Sequence, residues 1–453
     1  MPDAWCSRGR AVVCGGGLAG LLAACVLAEG GFAVTVVEPD PEGASAGPRP
    51  GAPQGHHAHG LFVRGVRVLE ELLPGIVGEL TARGAIAVDV GAQYVLASRF
   101  GCGASFVAGK HMLAAGQPLL EAAVRRRALA RPGVTVLAGH RADHLTGYDG
   151  RVTGVVVREA TGGACRLLEA ELMVDATGRA SRADRWLTAL GYPAVRVSVV
   201  DAGFAFASRL YRPPARRPPW QVCHVMITPP LTRGGIIMPI EDDRWLVTLC
   251  GVGADRPTRG RHDFLPYART LHQPELADAL EEATELSGVT VTHAGANRRR
   301  HLDRLTPQPH NLILVGDAAC CFNPLYAQGM TAAVLTARTL RGHLARHRSA
   351  EGFAPAFHRA LAPLHDACWA QAATADALLA GTAAPGLTRR QRLLARHSQN
   401  VMAAGTRDPV AQEAFLDVVH MLCPPTTLLT PRVLARLVRL RFSPVAQRRA
   451  TPR

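Results

Sequence analysis

The sequence predicts an α/β fold: a Rossmann-type domain, an interleaved β-sheet domain and a C-terminal helical region. Three observations predict it. Near the N-terminus an apolar strand runs into Gly15-x-Gly17-x-x-Gly20 and then an Ala/Leu-rich helix. Far along the chain a second apolar strand ends in "VGDAACCFNPLYAQGM" and again opens a helix. Short strand-like runs fill the interval, and beyond Ala345 the composition turns to Ala and Leu at helical spacing.

The chain has 453 residues, more than one ordinary core accommodates. Hydrophobic residues at 48% and charged residues at 19% describe a folded chain, not a disordered one. The net charge is +15, and Lys110 is the one lysine. The arginines are scattered and no nucleic-acid motif accompanies them, so they read as solvated surface and no nucleic-acid partner is expected. Eleven cysteines without a CxxC pair suggest the reduced thiols of a cytoplasmic protein. Adjacent Cys320 and Cys321 read as packing residues. "MPDAWCSRGR" lacks the apolar stretch of a signal peptide, and no run of about 18 apolar residues predicts a membrane span.

Ala11–Cys14 is the first strand. Gly15 permits the tight turn, Gly17 lets the backbone approach a pyrophosphate, and Gly20 lets helix and strand pack closely. Leu18 and Ala19 open the helix, whose free N–H groups face phosphates. Phe32–Glu38 is the second strand, and Glu38 follows the glycines by about 20 residues, as the dinucleotide fingerprint requires. Its carboxylate accepts from ribose hydroxyls and repels a 2′-phosphate, which favours FAD or NAD over NADP. An accidental Gly-rich turn is the competing interpretation, and the ordered strand, helix, strand and acid weigh against it.

FAD is long, and its ribityl and flavin end needs a second site. Leu312–Val315 is a buried strand that ends in Gly316 and Asp317, an acid suited to ribityl hydroxyls. Pro324, Gln328, Gly329 and Met330 turn the chain into a helix whose N-terminus favours negative charge on a reduced flavin. FAD is therefore the expected cofactor.

These motifs resemble the class A FAD-dependent monooxygenases, the para-hydroxybenzoate hydroxylase-like fold. "LMVDATGRASRADRWL" matches the family's central element, with Asp175 at the strand end. "RPGAPQGHHAHGLFVRGVRVLEELLPG" matches a segment whose Arg reaches the pyrophosphate, a role that falls to Arg49, with Gln54, His56 and His59 nearby. With "IIMPIEDDRWLVTLCG" and "ANRRRHLDRL", the chain looks most like bacterial polyether polyketide epoxidases of the monensin and lasalocid type. Two positions depart from the family: Ala327 stands where relatives have Gly before Gln-Gly-Met, and Gln117 where many have Arg.

The domain organisation read from these segments is an FAD domain of residues 10–90, 117–193 and 297–345, a substrate domain of 91–116 and 194–296, and a helical region of 346–453. "VGAQYVLASRF" and "CGASFVAGK" are expected as two strands, and the Pro/Arg stretch "LYRPPARRPPW" as a loop over the substrate side. Phe204, Phe206, Met226, Met238, Trp245, Phe322 and Tyr326 are candidate pocket residues; ordinary core is the competing role for each.

The resemblance implies insertion of one oxygen atom from O2 through a flavin C4a-hydroperoxide, most simply alkene epoxidation of a lipophilic polyketide or terpenoid-like substrate in secondary metabolism. No side-chain acid–base pair stands out, and epoxidation demands none, so the catalytic residues stay unassigned. Aromatic hydroxylation, a geranylgeranyl-reductase-like flavin reduction and a non-catalytic FAD-binding protein are the alternatives. Halogenases share the fold but carry a WxWxIP strand and a catalytic lysine; the comparable strand here is "GGIIMPI". No second glycine fingerprint precedes a helix, so NADPH or NADH must act at a shallow surface site or through a partner flavin reductase. His56, His57 and His59 lack the partners of a metal site. In the C-terminal tail, Val433, Leu434, Leu437 and Leu440 fall at helical spacing; core packing is the simpler interpretation and peripheral membrane contact the other.

Overall fold

The computed structural model describes residues 9–41, 47, 49, 51, 53–293, 296–347, 349–379 and 388–442. The strands that place the site are β1 (Arg10–Cys14), β2 (Ala33–Glu38), β3 (Tyr94–Ser98), β4 (Val134–Ala138), β5 (Leu172–Asp175), β6 (Phe204–Arg212), β7 (Val222–Val225), β8 (Arg233–Ile240), β9 (Arg244–Val252), β10 (Asn297–Arg300) and β11 (Leu312–Leu314). The corresponding helices are α1 (Leu18–Glu29), α2 (Gln117–Leu129), α3 (Gly329–Arg346), α4 (Phe353–Leu379), α5 (Arg389–Gly405), α6 (Pro409–Val419) and α7 (Pro431–Phe442).

Five strands pair in parallel in the order β11-β5-β1-β2-β4. Each is short and apolar because both faces are covered. α1, α3 and α4 close one face with Leu21, Leu22, Leu335 and Phe357, and a three-stranded antiparallel sheet over residues 140–169 covers the other. The register sets Cys14 beside Asp175 and Asp175 beside Leu314. The loops that follow those three residues therefore emerge together at the carboxyl edge, where open α/β sheets bind ligands.

An eight-stranded mixed sheet forms the second layer, with β6, β9, β8, β7 and β3 neighbouring in that order. Its cross-strand pairs fix two faces. Phe206 opposes Cys250 and Ser208 opposes Thr248 on one face; Tyr211 opposes Trp245 on the other. The second face packs against short helices at Phe264–Arg269 and Glu275–Glu281. Part of the first face is covered by α5, α6 and α7 through Val401, Leu416 and Val433.

Three local expectations are corrected. Of "CGASFVAGK", only Cys102 pairs as strand, in the two-residue strand Gly101–Cys102. The chain at Ala108 and Gly109 is held instead by the Asp89 carboxylate, which accepts from both N–H groups. The Pro/Arg loop lies at the Arg212 end of β6, where Arg217 pairs with Asp243 and Trp220 stacks on Trp245 at 5.9 Å; it therefore does not cover the face that carries Phe206. In α7, Val433, Leu437 and Leu440 pack inward, while Leu434 is 39% exposed, so three of the four periodic residues form the buried stripe. The tail beyond residue 442 lies outside the described residues. Among the described residues, no helix is long and apolar enough to cross a membrane.

Candidate FAD site

The glycine fingerprint is built as a cradle that side chains would fill. Gly15 has φ +111°, a conformation glycine alone adopts readily, and a Cβ there would lie 2.3 Å from the Ala176 carbonyl oxygen. A Cβ on Gly20 would lie 1.9 Å from the Gly15 oxygen. Gly17 precedes α1, whose N-terminus has no side-chain cap and no acid in its first turn, so the N–H groups at Leu18 and Ala19 are left for an anion. Glu38, buried at the end of β2, accepts from the Gly16 N–H at 2.8 Å and so braces the glycine turn.

Arg49 reaches over this cradle. Its guanidinium lies 3.1 Å from Glu38, 3.0 Å from Asp40 and 2.9 Å from Glu121 on α2, and its Nη2 would be 3.7 Å from a Cβ on Gly17. Gln117 donates to Glu121 at 2.8 Å, while its Oε1 is buried without a partner among the described residues. Glu121 carries no motif; the structure alone reveals that its carboxylate meets the arginine expected at the pyrophosphate.

The two distant motifs meet. Gly316 has φ +58°, and a Cβ there would lie 2.7 Å from the Ala19 Cβ in the first turn of α1. Asp317 follows, half-buried, and the Cys321 thiol donates to its carboxylate. Burial raises its pKa, while the nearby Arg179 and Arg298 charges oppose the rise. Asp175 is spent locally: one oxygen accepts from the Thr177 N–H and hydroxyl, the other from Ser181 at 2.6 Å. It shapes the turn behind the site. Arg179 in that turn donates to the carbonyls of Ala296 and Phe322 and thus ties the central motif to the late one.

Pro324–Tyr326 forms a 3-10 turn capped by Asn323, and Ala327 follows with φ +50°. That left-handed conformation favours glycine, and it costs an alanine about 1 kcal/mol. Gln328 is buried with its Oε1 unpartnered among the described residues, Gly329 starts α3, and Met330 packs partly against the main core. α3 begins without a side-chain cap or an acid. The unpartnered oxygens of Gln117 and Gln328, the two uncapped helix starts and the glycine cradle fit FAD.

One feature of this loop escaped the sequence reading. Asp376 on α4 is fully buried and accepts from Tyr326 Oη at 2.5 Å, Asn297 Nδ2 at 2.5 Å and Asn323 Nδ2 at 3.1 Å. The available signal is a single acid in the Ala/Leu run "AATADALL". Burial pushes its carboxyl up to about 6, against the pull of those hydrogen bonds. An ordinary Asp titrates near ~3.9. The folded state therefore holds a proton there that the unfolded chain has released. Stability from this group is greatest below about pH 4 and falls as pH rises toward about 6, by roughly 2–3 kcal/mol at most. Urea unfolding of wild type and Asp376→Asn over that window should give a stability difference that shrinks with rising pH.

The candidate pocket residues separate. Phe204 and Phe206 stack at 5.9 Å and cluster with Ile227, Cys250 and Leu325 of the Pro324–Tyr326 turn. Met238 is buried and Met226 partly buried where α5–α7 cover the sheet. Trp245 faces the opposite side of the same sheet, because it stands an odd number of residues from Cys250, the partner of Phe206. Phe322 lies in the core behind the parallel sheet. Cys320 and Cys321 are buried thiols in a short strand paired with β10. Among the described residues, no group of three His, Cys, Asp or Glu side chains is placed to hold a metal ion.

Residues 9–354 match the FAD binding domain family. The chain belongs to that family and has the fold of the class A flavin monooxygenases. It is 30% identical to protein Rv3254 of Mycobacterium tuberculosis strain H37Rv, over 98% of this chain and 96% of that one. Among solved structures it is similar to Pseudomonas aeruginosa PqsL in complex with 2-aminobenzoylacetate, at TM-score 0.63 and 20% identity, covering 83% of this chain and 99% of that one. It is also similar to the myxobacterial chondrochloren halogenase CndH, an FAD-dependent halogenase, at TM-score 0.63 and 16% identity, covering 92% and 96%. Likeness at these identities concerns the fold. Lys110 pairs with Glu413 at 2.9 Å and Asp417 at 2.6 Å on α6. Lys110→Met should cost about 1 kcal/mol in urea unfolding and leave FAD uptake, titrated by flavin fluorescence, unchanged.

Proposed function

We propose that the protein is an FAD-dependent monooxygenase that inserts one oxygen atom from O2 into a lipophilic small molecule, with alkene epoxidation as the leading reaction. The observation that carries this is the apposition of the flavin loop and an apolar sheet face: Leu325 packs with Phe204, Phe206, Ile227 and Cys250. When bound, FAD supplies the electrons that activate O2 and the site of oxygen transfer. The protein's part is placement. The glycine cradle and Arg49 receive the pyrophosphate, Glu38 and Asp317 accept from sugar hydroxyls, and the uncapped start of α3 favours negative charge on the reduced ring. The aromatic pair excludes water from the transfer site.

The five-stranded sheet is the one all-parallel sheet among the described residues, which supports reduction by NADPH or NADH at a surface site or by a partner reductase. Aromatic hydroxylation is the second reading, and the Tyr326–Asp376 pair favours it, because a phenol needs a route for its proton. A cytoplasmic role in secondary metabolism, polyketide or terpenoid-like substrates and peripheral membrane contact by the tail belong to the same proposal. The test is incubation of the FAD-loaded protein with a reductant and matched polyenes and phenols under labelled oxygen. A product gaining one labelled atom supports the proposal, and an alkene epoxide selects the leading reaction. Reduced alkenes without label would replace it with a flavin reductase.

A further inference from the structure

His57 stands at the seam between the flavin-side loop and the sheet face. It is 3% exposed, and its ring lies 5.8 Å from that of Phe206. Three hydrogen bonds fix which of its nitrogens carries the proton. The Ala58 N–H donates to Thr248 Oγ1 at 2.8 Å. The single Thr248 hydroxyl proton then finds Ser208 Oγ at 2.7 Å, and the Ser208 proton finds His57 Nδ1 at 2.7 Å. The opposite polarity would leave the buried Thr248 proton without an acceptor. Burial, with smaller contributions from His59 and His56, lowers the His57 pKa to about 4, so the ring is neutral near pH 7. Nδ1 accepts, so Nε2 carries the hydrogen, and that Nε2 is buried with no partner among the described residues. His59 is set the other way: its Nδ1 donates to the His57 carbonyl at 2.7 Å.

The ring sits in a defined neighbourhood, with Ser208 on its Nδ1 side and Phe206 5.8 Å away. Ser208 and Thr248 are one cross-strand pair; Phe206 and Cys250 are the next pair on the same face. Leu325 of the Pro324–Tyr326 turn packs on the cluster that contains this second pair. A buried N–H with no acceptor costs stability unless a ligand meets it.

We propose that the His57 Nε2–H is a specificity-determining donor that reads a carbonyl oxygen on an otherwise apolar substrate lying against Phe204, Phe206 and Cys250. The inference rests on the monooxygenase reading for the identity of that face as the substrate side. It narrows the substrate class to lipophilic molecules that bear an unprotonated acceptor oxygen near the reacting carbon. A pure hydrocarbon alkene leaves the donor unpaired and is discriminated against.

The test uses two probes of nearly equal shape, acetophenone and α-methylstyrene, which differ in a carbonyl oxygen against a methylene. Calorimetric titration of the FAD-loaded protein should show acetophenone binding about tenfold or more tighter. His57→Phe should bring the two within about twofold, and His57→Gln, which keeps an N–H donor, should retain most of the preference. Should the phenylalanine variant not fold, Ser208→Ala removes the proton that fixes the ring and should cut the preference about threefold. Equal binding of both probes by the wild type, no binding of either, a preference that survives His57→Phe or Ser208→Ala, or the same loss in the Phe and Gln variants overturns the inference. Flavin absorbance of each preparation separates the two levels: missing flavin contradicts the proposed function, whereas full flavin without carbonyl preference contradicts this inference alone.

Discussion

Replacing Gly20 by valine should abolish FAD binding and lower the unfolding free energy by about 3 kcal/mol or more. The effect is expected to be the largest of any single substitution at the site. A Cβ at this position would sit 1.9 Å from the Gly15 carbonyl oxygen and 3.1 Å from the Ala176 Cβ. Neither can retreat, because Gly15 is itself pinned by its N–H bond to Val37 and by its close approach to Ala176. The helix must therefore move away from β1 and β5, which opens the cradle. Urea unfolding and the visible absorbance of added FAD read the two effects separately. A variant that unfolds like the wild type and still retains FAD would show that the close approach is not needed.

Arg49→Met should weaken FAD binding about 10- to 100-fold, and Glu121→Gln should strengthen it about threefold or more. Arg49 neutralises Glu38, Asp40 and Glu121, all within 3.1 Å of its guanidinium. Without it the three carboxylates confront the pyrophosphate unscreened. Removing the Glu121 charge frees the guanidinium for phosphate and subtracts one repulsion. Fluorescence titration of FAD against each apo-protein gives both constants. A weaker affinity in Glu121→Gln would mean that this carboxylate serves to aim Arg49, not to compete for it.

The parallel sheet could be read directly, since strands covered on both faces are written as short apolar runs and glycines mark their close approaches. Glu38 and Asp317 were legible for the same reason: each is an acid immediately after such a run. The pairing of Arg49 with Glu121 was not, because it joins residues 72 positions apart and nothing local distinguishes Glu121 on its helix. Asp376 was hidden likewise; it joins the flavin loop only when α4 packs beside β10. Strand alternation could not choose a face for Trp245 or Phe206. The choice depends on which layers cover the sheet, and those come from distant segments. His57 read as one of three loop histidines until the Ser208–Thr248 pair gave its ring a polarity.

The most direct test of the central claim is the visible spectrum of the protein loaded with FAD, reduced photochemically without oxygen and then opened to air. The account predicts stoichiometric FAD uptake, bleaching on reduction, and prompt return of the oxidised spectrum as O2 is consumed. A chain that takes up no FAD, or whose reduced flavin persists in air, would contradict it.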